Sequence, residues 1–232
     1  MSDFENEPAD AAQQNMIIIV ISDTHGYHRD VVVPDGDMLV HCGDMSAGGS
    51  AHEIARAFWW MSRQMHRHKL AISGNHDWEF DLAPKNARSL VPSGVTYLEN
   101  SGCMIEGLRF WGSPYTPAFR DFAFNEERDA IGKHWQLIPE DVDIVITHGP
   151  PRGVCDLVEG AGHQGCDRLR HRIEAIRPRA HLCGHLHGGH GYDYLGDTLV
   201  VNASICDERY RPVNKPIAIE VLPGQRGRFI PY

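Results

Sequence analysis

Short apolar runs alternate with longer polar stretches along this chain. The run MIIIVI at 16–21 is apolar at every position, the pattern of a strand covered on both faces. MLVHCG (38–43) and HKLAISG (68–74) repeat it more weakly, and SAHEIARAFWWMSRQMHR between them has helical length and few breakers. Ser50 with Glu53 three residues on predicts a capping box at the start of that helix. WEFDLAPKNARSLVPSG reads as loop with a short helix. TYLEN, CMIEG and LRFWGSP then read as short strands suited to antiparallel pairing. DFAFNEERDAIGKHWQLI is expected to form a helix, VDIVITHG (142–149) a strand, and CDRLRHRIEAIRP a helix closed by Pro178. AHLCG, TLVVNAS and IAIEVL complete about nine strands with three or more helices. Strand and helix in this order predict an α/β layered domain.

Composition narrows the picture. With 232 residues and 42% hydrophobic content, the chain can bury one substantial core. We expect a single domain over 16–232 after a polar, acidic, disordered tail at 1–15 that lacks the features of a signal peptide. The net charge of -9 argues against stable nucleic-acid binding. No apolar run approaches membrane-spanning length, so no membrane partner is expected. Cys42, Cys103, Cys155, Cys166, Cys183 and Cys206 show no zinc-finger or CxxC spacing and read as free thiols in the cytoplasm.

The chemistry sits where the apolar runs stop. SDTHG places Asp23 and His25 after the first strand, HCGD places Asp44 after the second, and SGNHD places Asn75, His76 and Asp77 after the third. VITHG adds His148, and LCGHLHGGHG adds His185 and His187, which share a face if that stretch is extended. Ligands of α/β sheets collect beyond the carboxyl ends of the strands. One metal rarely uses seven protein ligands, whereas two metals sharing a carboxylate use them well. The mixed oxygen and imidazole set argues against a Cys-rich structural zinc site. Two metals roughly 3.5–4 Å apart form the usual clamp for displacement at phosphorus. Taken singly, a strand-end His is more often a cap or surface group. His41, His52, His66, His68, His134 and His171 keep that reading, and His28, His163 and His190 stand between.

The ordered set DTH, GD, GNHD, TH and GHLH resembles the calcineurin-like metallophosphoesterases. THGPP, GC..L, VNAS and RYRPVNKPI make the closer resemblance to the metallophosphoesterase domain-containing (MPPED) group, over about residues 16–222. The resemblance implies a four-layer αββα sandwich with two mixed β-sheets packed face to face and flanking helices. It implies one metal on Asp23, His25 and His187, a second on Asn75, His148 and His185, and Asp44 bridging both. Some members of the group replace a histidine of the last motif by glycine and lose much activity, and both His185 and His187 are present here. By the same resemblance a metal-bridging hydroxide attacks phosphorus in line while His76 assists the leaving group. Asp77 is expected to orient or charge-tune His76.

The resemblance further implies a phosphodiesterase for small substrates, cyclic nucleotides among them, with manganese or iron favoured and zinc possible. A phosphomonoesterase or protein phosphatase of the same superfamily is the alternative, and a non-catalytic metal-binding scaffold a more distant one. Trp78, Phe80, Trp111, Tyr115, Phe119 and Arg120 are expected near the pocket walls, with Arg120 or Arg152 available to phosphate. The sequence leaves the oligomeric state open.

Overall fold

In the computed structural model of the protein, residues 15–222 and 224–232 are described. The expected tail at 1–15 lies, but for Asn15, outside the described residues. Twelve strands form two six-stranded sheets. The first six are β1 (Met16–Ile21), β2 (Met38–Cys42), β3 (His68–Ile72), β4 (Thr96–Tyr97), β5 (Ser101–Ile105) and β6 (Leu108–Ser113). The rest are β7 (Ile144–Thr147), β8 (Ala180–Cys183), β9 (Gly191–Leu195), β10 (Thr198–Asn202), β11 (Ile217–Val221) and β12 (Arg228–Ile230). The helices are α1 (Ala51–Ser62), α2 (Trp78–Leu82), α3 (Pro84–Ser89), α4 (Gly132–Trp135) and α5 (Asp167–Ile176).

The first sheet runs β12-β11-β1-β2-β3-β4 and the second β9-β10-β8-β7-β6-β5. In each, a parallel centre carries antiparallel partners, β11 against β1 and β12, β5 against β6 and β9 against β10, while β4 closes the first sheet in parallel with β3. Alternation along a strand assigns the layers. Ile18 and Val20 of β1 enter a core between the sheets with Val40, Leu70, Phe110, Ile146 and Leu182. Ile19 and Ile21 point the other way, onto Ile54, Phe58 and Met61 of α1. The second sheet's outer face packs Trp111 and Val145 against Trp135 of α4 and Leu169 and Ile173 of α5. These faces make a four-layer αββα sandwich, and they explain why MIIIVI has no polar position. Among the described residues no helix is long and apolar enough to cross a membrane.

Local signals hold where side chains act on their own backbone. Ser50 accepts from the Glu53 N–H, and Glu53 accepts from the Ser50 N–H, so α1 begins with a complete capping box. Arg177 ends α5 in the left-handed region at φ 50°, just before Pro178. The helix expected over DFAFNEERDAIGKHWQLI is mostly absent, with only Gly132–Trp135 helical. Tertiary contacts override its propensity. Ala123 and Phe124 are drawn into the core, and Asn125–Glu126 pairs with Thr116–Pro117. The expected strands omit β9 and β12, two edge strands whose polar residues mask their period.

Ser50→Ala removes one capping partner and should lower unfolding free energy by about 1 kcal/mol in urea titration, without changing the slope.

Candidate metal centre

All five polar clusters lie at the carboxyl ends of β1, β2, β3, β7 and β8, so the two sheets deliver them to one edge of the sandwich. The backbone there is turned sharply. Asp23 (φ 51°), His25 (φ 42°), Asp44 (φ 54°) and His185 (φ 67°) all occupy the left-handed region. Such residues cost on the order of 1–3 kcal/mol each and cluster where function over-determines the backbone. Neighbouring loops hold them: the N–H groups of Asp23 and His25 donate to the carbonyls of Gly43 (2.9 Å) and Asp44 (3.0 Å).

His185 and His187 do not share a strand face. β8 ends at Cys183, His185 takes the left-handed conformation, and His187 opens a short 3-10 turn. Each is aimed separately, at different partners. Asp23, His25 and His187 offer ligand atoms within 4.8 Å of one another, as do Asp44, His148 and His185, and also His25, Asp44 and His76. Asn75 joins the second group, its Oδ1 lying 2.9 Å from His148 Nε2. One Asp44 oxygen, Oδ2, lies 3.3 Å from His148 Nε2 and 3.8 Å from His25 Nε2, between the groups.

These donors fit metal cations. Nδ1 of His25, His148 and His187 faces a backbone carbonyl, of Ser46, Cys42 and Asp207 respectively. In the neutral tautomer Nδ1 donates there and Nε2 presents a lone pair. Two such lone pairs meet at 3.2 Å between His25 and His187. Asp23 Oδ1 is buried and faces His187 Nε2 at 3.4 Å, while its Oδ2 accepts from the His185 backbone N–H and lies 2.8 Å from Ser204 Oγ. Converging lone pairs in a desolvated space require a cation.

Protons compete with a cation for the same donors, and metal binding displaces them. Burial pushes the Asp23 and Asp44 carboxyls up, but His187 at Asp23 and His148 at Asp44 hold both below the usual carboxylate range. Burial pushes His148 down, and the Asp44 charge and hydrogen bond outweigh it, bringing it to about 9. His185, where burial dominates, falls to about 3 and stays a neutral imidazole able to ligate.

Asp77 does not touch the His76 ring. Its carboxylate accepts from the N–H groups of Met45, Ser46 and Gly74 and from Ser46 Oγ, tying the loop after β2 to the loop after β3. Burial, then the charge of Asp44, raises it to about 6. The His76 ring is oriented instead by the Ala47 carbonyl, 2.9 Å from Nδ1, on the loop that Asp77 fastens.

A cavity of about 640 Å³ opens over Asp44, Asn75, His76, His185 and His187. Of the expected wall residues only Phe119 and Arg120 line it. Phe80 and Trp111 are core, Trp78 packs beside that core, Tyr115 stacks on His134 at 3.6 Å, and Arg152 faces Asp167. Sequence reasoning passed over Phe122, Arg128, Glu208 and Tyr210, which do line it. RYRPVNKPI carried a signal for Tyr210, but its distance along the chain from every ligand concealed the role. His41 and His181 are buried against threonine hydroxyls, and His28 packs beside Trp60. His163 pairs with Asp156, and His190 with the Lys215 carbonyl.

Known proteins share this sequence pattern and fold. The calcineurin-like phosphoesterase profile matches residues 16–189. Metallophosphoesterase domain-containing protein 1 of Homo sapiens is 36% identical over 234 residues, 90% of this chain and 71% of its own length. UPF0046 protein K07C11.7 of Caenorhabditis elegans is 33% identical over 231 residues, 93% of this chain and 79% of its own. TT1561 of Thermus thermophilus, at 17% identity, superposes with TM-score 0.58 over 82% of this chain and 89% of that one, a likeness of fold.

A Cβ at Gly184 would stand 2.1 Å from Asp23 Oδ2 and 2.0 Å from Ser22 Oγ, whereas one at Gly132 meets nothing closer than 3.9 Å. After dialysis against Mn²⁺, elemental analysis should find Gly184→Ala depleted of at least one ion per chain and Gly132→Ala unchanged. Equal metal content in the two would contradict the placement of Asp23.

Proposed function

The chain belongs to the calcineurin-like phosphoesterase family, and from that premise we propose that it is a phosphodiesterase acting on small phosphodiesters, with two divalent ions of manganese or iron as cofactor. Zinc also accepts this set of four imidazoles and three oxygen ligands and is the alternative ion. Asp23, His25 and His187 would hold one ion, Asn75, His148 and His185 the other, and Asp44 both. When bound, the pair supplies Lewis acidity toward the phosphoryl oxygens and an activated water. The rest of the reaction falls to side chains of the pocket.

The observation that supports a diester is the pocket's lining. Its apolar surface comes from Pro117, Phe119, Phe122, Pro150, Val158 and Leu186. Its arginines, among the described residues, are Arg120 and Arg128, and the Arg128 guanidinium is committed to the carbonyls of Gln164 and Gly165. Glu208 adds negative charge. A monoester dianion asks for more cationic neutralisation than this lining offers. A monoanionic diester with two organic arms suits a cavity of about 640 Å³ with apolar walls. Cyclic nucleotides fall in this class. Six unpaired thiols fit a cytoplasmic protein.

His76 is positioned to carry the leaving group's proton. With Nδ1 held on the Ala47 carbonyl, Nε2 is left as the atom that gains or loses a proton on the pocket side. The His76 backbone N–H donates to Asp44 Oδ1 at 2.7 Å, which ties this residue's backbone to the proposed metal ligands. Asp77 fastens the two loops that carry this arrangement and thus acts on His76 through the backbone.

With Mn²⁺ added, bis-p-nitrophenyl phosphate should be hydrolysed at least about tenfold more efficiently than p-nitrophenyl phosphate, a difference of roughly 1.4 kcal/mol. Activity on the monoester alone would overturn the diesterase reading. His76→Ala should lower kcat roughly 100-fold while both ions stay bound. Near-normal turnover at full metal content would remove His76 from the reaction.

A further inference from the structure

Tyr210 is held over the ligand cluster in a way that packing alone does not demand. Its ring centroid lies 4.9 Å from that of His25, 5.2 Å from that of His187 and 6.0 Å from that of His76. The residue is nevertheless 47% exposed, on the wall of the cavity. Its backbone is in the left-handed region at φ 57°, which a tyrosine adopts only where its surroundings over-determine it.

The loop 207–211 supplies that constraint. The Asp207 carboxylate accepts from the N–H groups of Arg209 and Arg211 and from the Arg211 guanidinium. The Asp207 N–H donates to the Arg211 carbonyl at 2.9 Å, and the Tyr210 N–H donates to the Asp207 carbonyl at 2.8 Å. That same Asp207 carbonyl faces His187 Nδ1 at 2.8 Å. One small loop therefore fixes both the orientation of His187 and the place of the Tyr210 ring.

Phe122 adjoins the same histidine from another loop, its ring 4.8 Å from that of His76. An organic group attached to a phosphoryl group beside His76 therefore meets two aromatic rings. Resting on the phosphoesterase reading above, we propose that Tyr210 is a specificity-determining residue, whose ring, with Phe122, selects substrates carrying a flat aromatic substituent next to the phosphoryl group. The ring rather than the hydroxyl carries the effect, through stacking and exclusion of water.

The test uses Mn²⁺-loaded protein and two non-hydrolysable monoanionic probes, methylphenylphosphinate and dimethylphosphinate, with dissociation constants from calorimetry. The parent protein should bind methylphenylphosphinate about five- to tenfold more tightly, the range expected for an aromatic pair. Tyr210→Ala should erase that preference with both ions still bound, and Tyr210→Phe should keep it. Equal binding of the two probes by the parent, or an undiminished preference in Tyr210→Ala, overturns the inference and leaves the phosphoesterase reading intact. Loss of metal in both Tyr210→Ala and Tyr210→Leu also overturns it, because the ring would then be a prop for His25 and His187. Failure of the metal-loaded parent to bind either probe is the failure of the phosphoester reading itself.

Discussion

Everything at this site depends on one electrostatic constraint: acceptor atoms with unshared pairs converge where burial strips most of their water. Asp23, Asp44 and His148 are buried almost completely, and His25 and Asn75 nearly so. Such a cluster is repulsive until positive charge enters it. The protein prevents the groups from relieving the repulsion by turning away. Backbone carbonyls hold the imidazoles from behind, and loop-to-loop hydrogen bonds lock the strand ends. The left-handed conformations at four ligand positions are further strain accepted to aim side chains inward. Binding energy from the proposed metal pair would offset both.

The fold makes that constraint tolerable. Parallel strands at the centre of each sheet send their carboxyl ends the same way, so five loops from two sheets reach one edge. The inter-sheet core beneath them gives the loops a rigid base. Glycines at the loop roots leave clearance that a methyl group would remove: at Gly74 a Cβ would stand 2.3 Å from Asp44 Oδ1. Asn202 and Ser204 finish the last loop from below. The Asn202 amide donates to the carbonyls of Cys155 and Leu186, and Ser204 Oγ lies 2.8 Å from Asp23 Oδ2.

The strands and the polar groups after them were legible because both are local. An unbroken apolar run marks a buried strand, and an ionisable residue directly beyond it marks an exit toward the ligand edge. The α1 cap was legible for the same reason. What escaped depends on contacts far apart in sequence. The 121–138 segment has helical composition, yet Phe124 and Ala123 serve the core and straighten it. His185 and His187 lie where the chain leaves its strand and turns, so they share no extended face. Asp77 and Tyr210 act through loops: one fastens the platform of His76, the other is delivered by a self-bonded segment 23 residues beyond His187. No spacing rule reveals either.

At the heart of the proposed site, Asp44 would join two metal ions into one centre. Titration with Mn²⁺ followed by low-temperature electron paramagnetic resonance tests it directly. Two Mn²⁺ per chain with an exchange-coupled signal, which Asp44→Asn weakens or abolishes, is the predicted result. A single bound ion, or two ions with the uncoupled signal of isolated Mn²⁺, would contradict it.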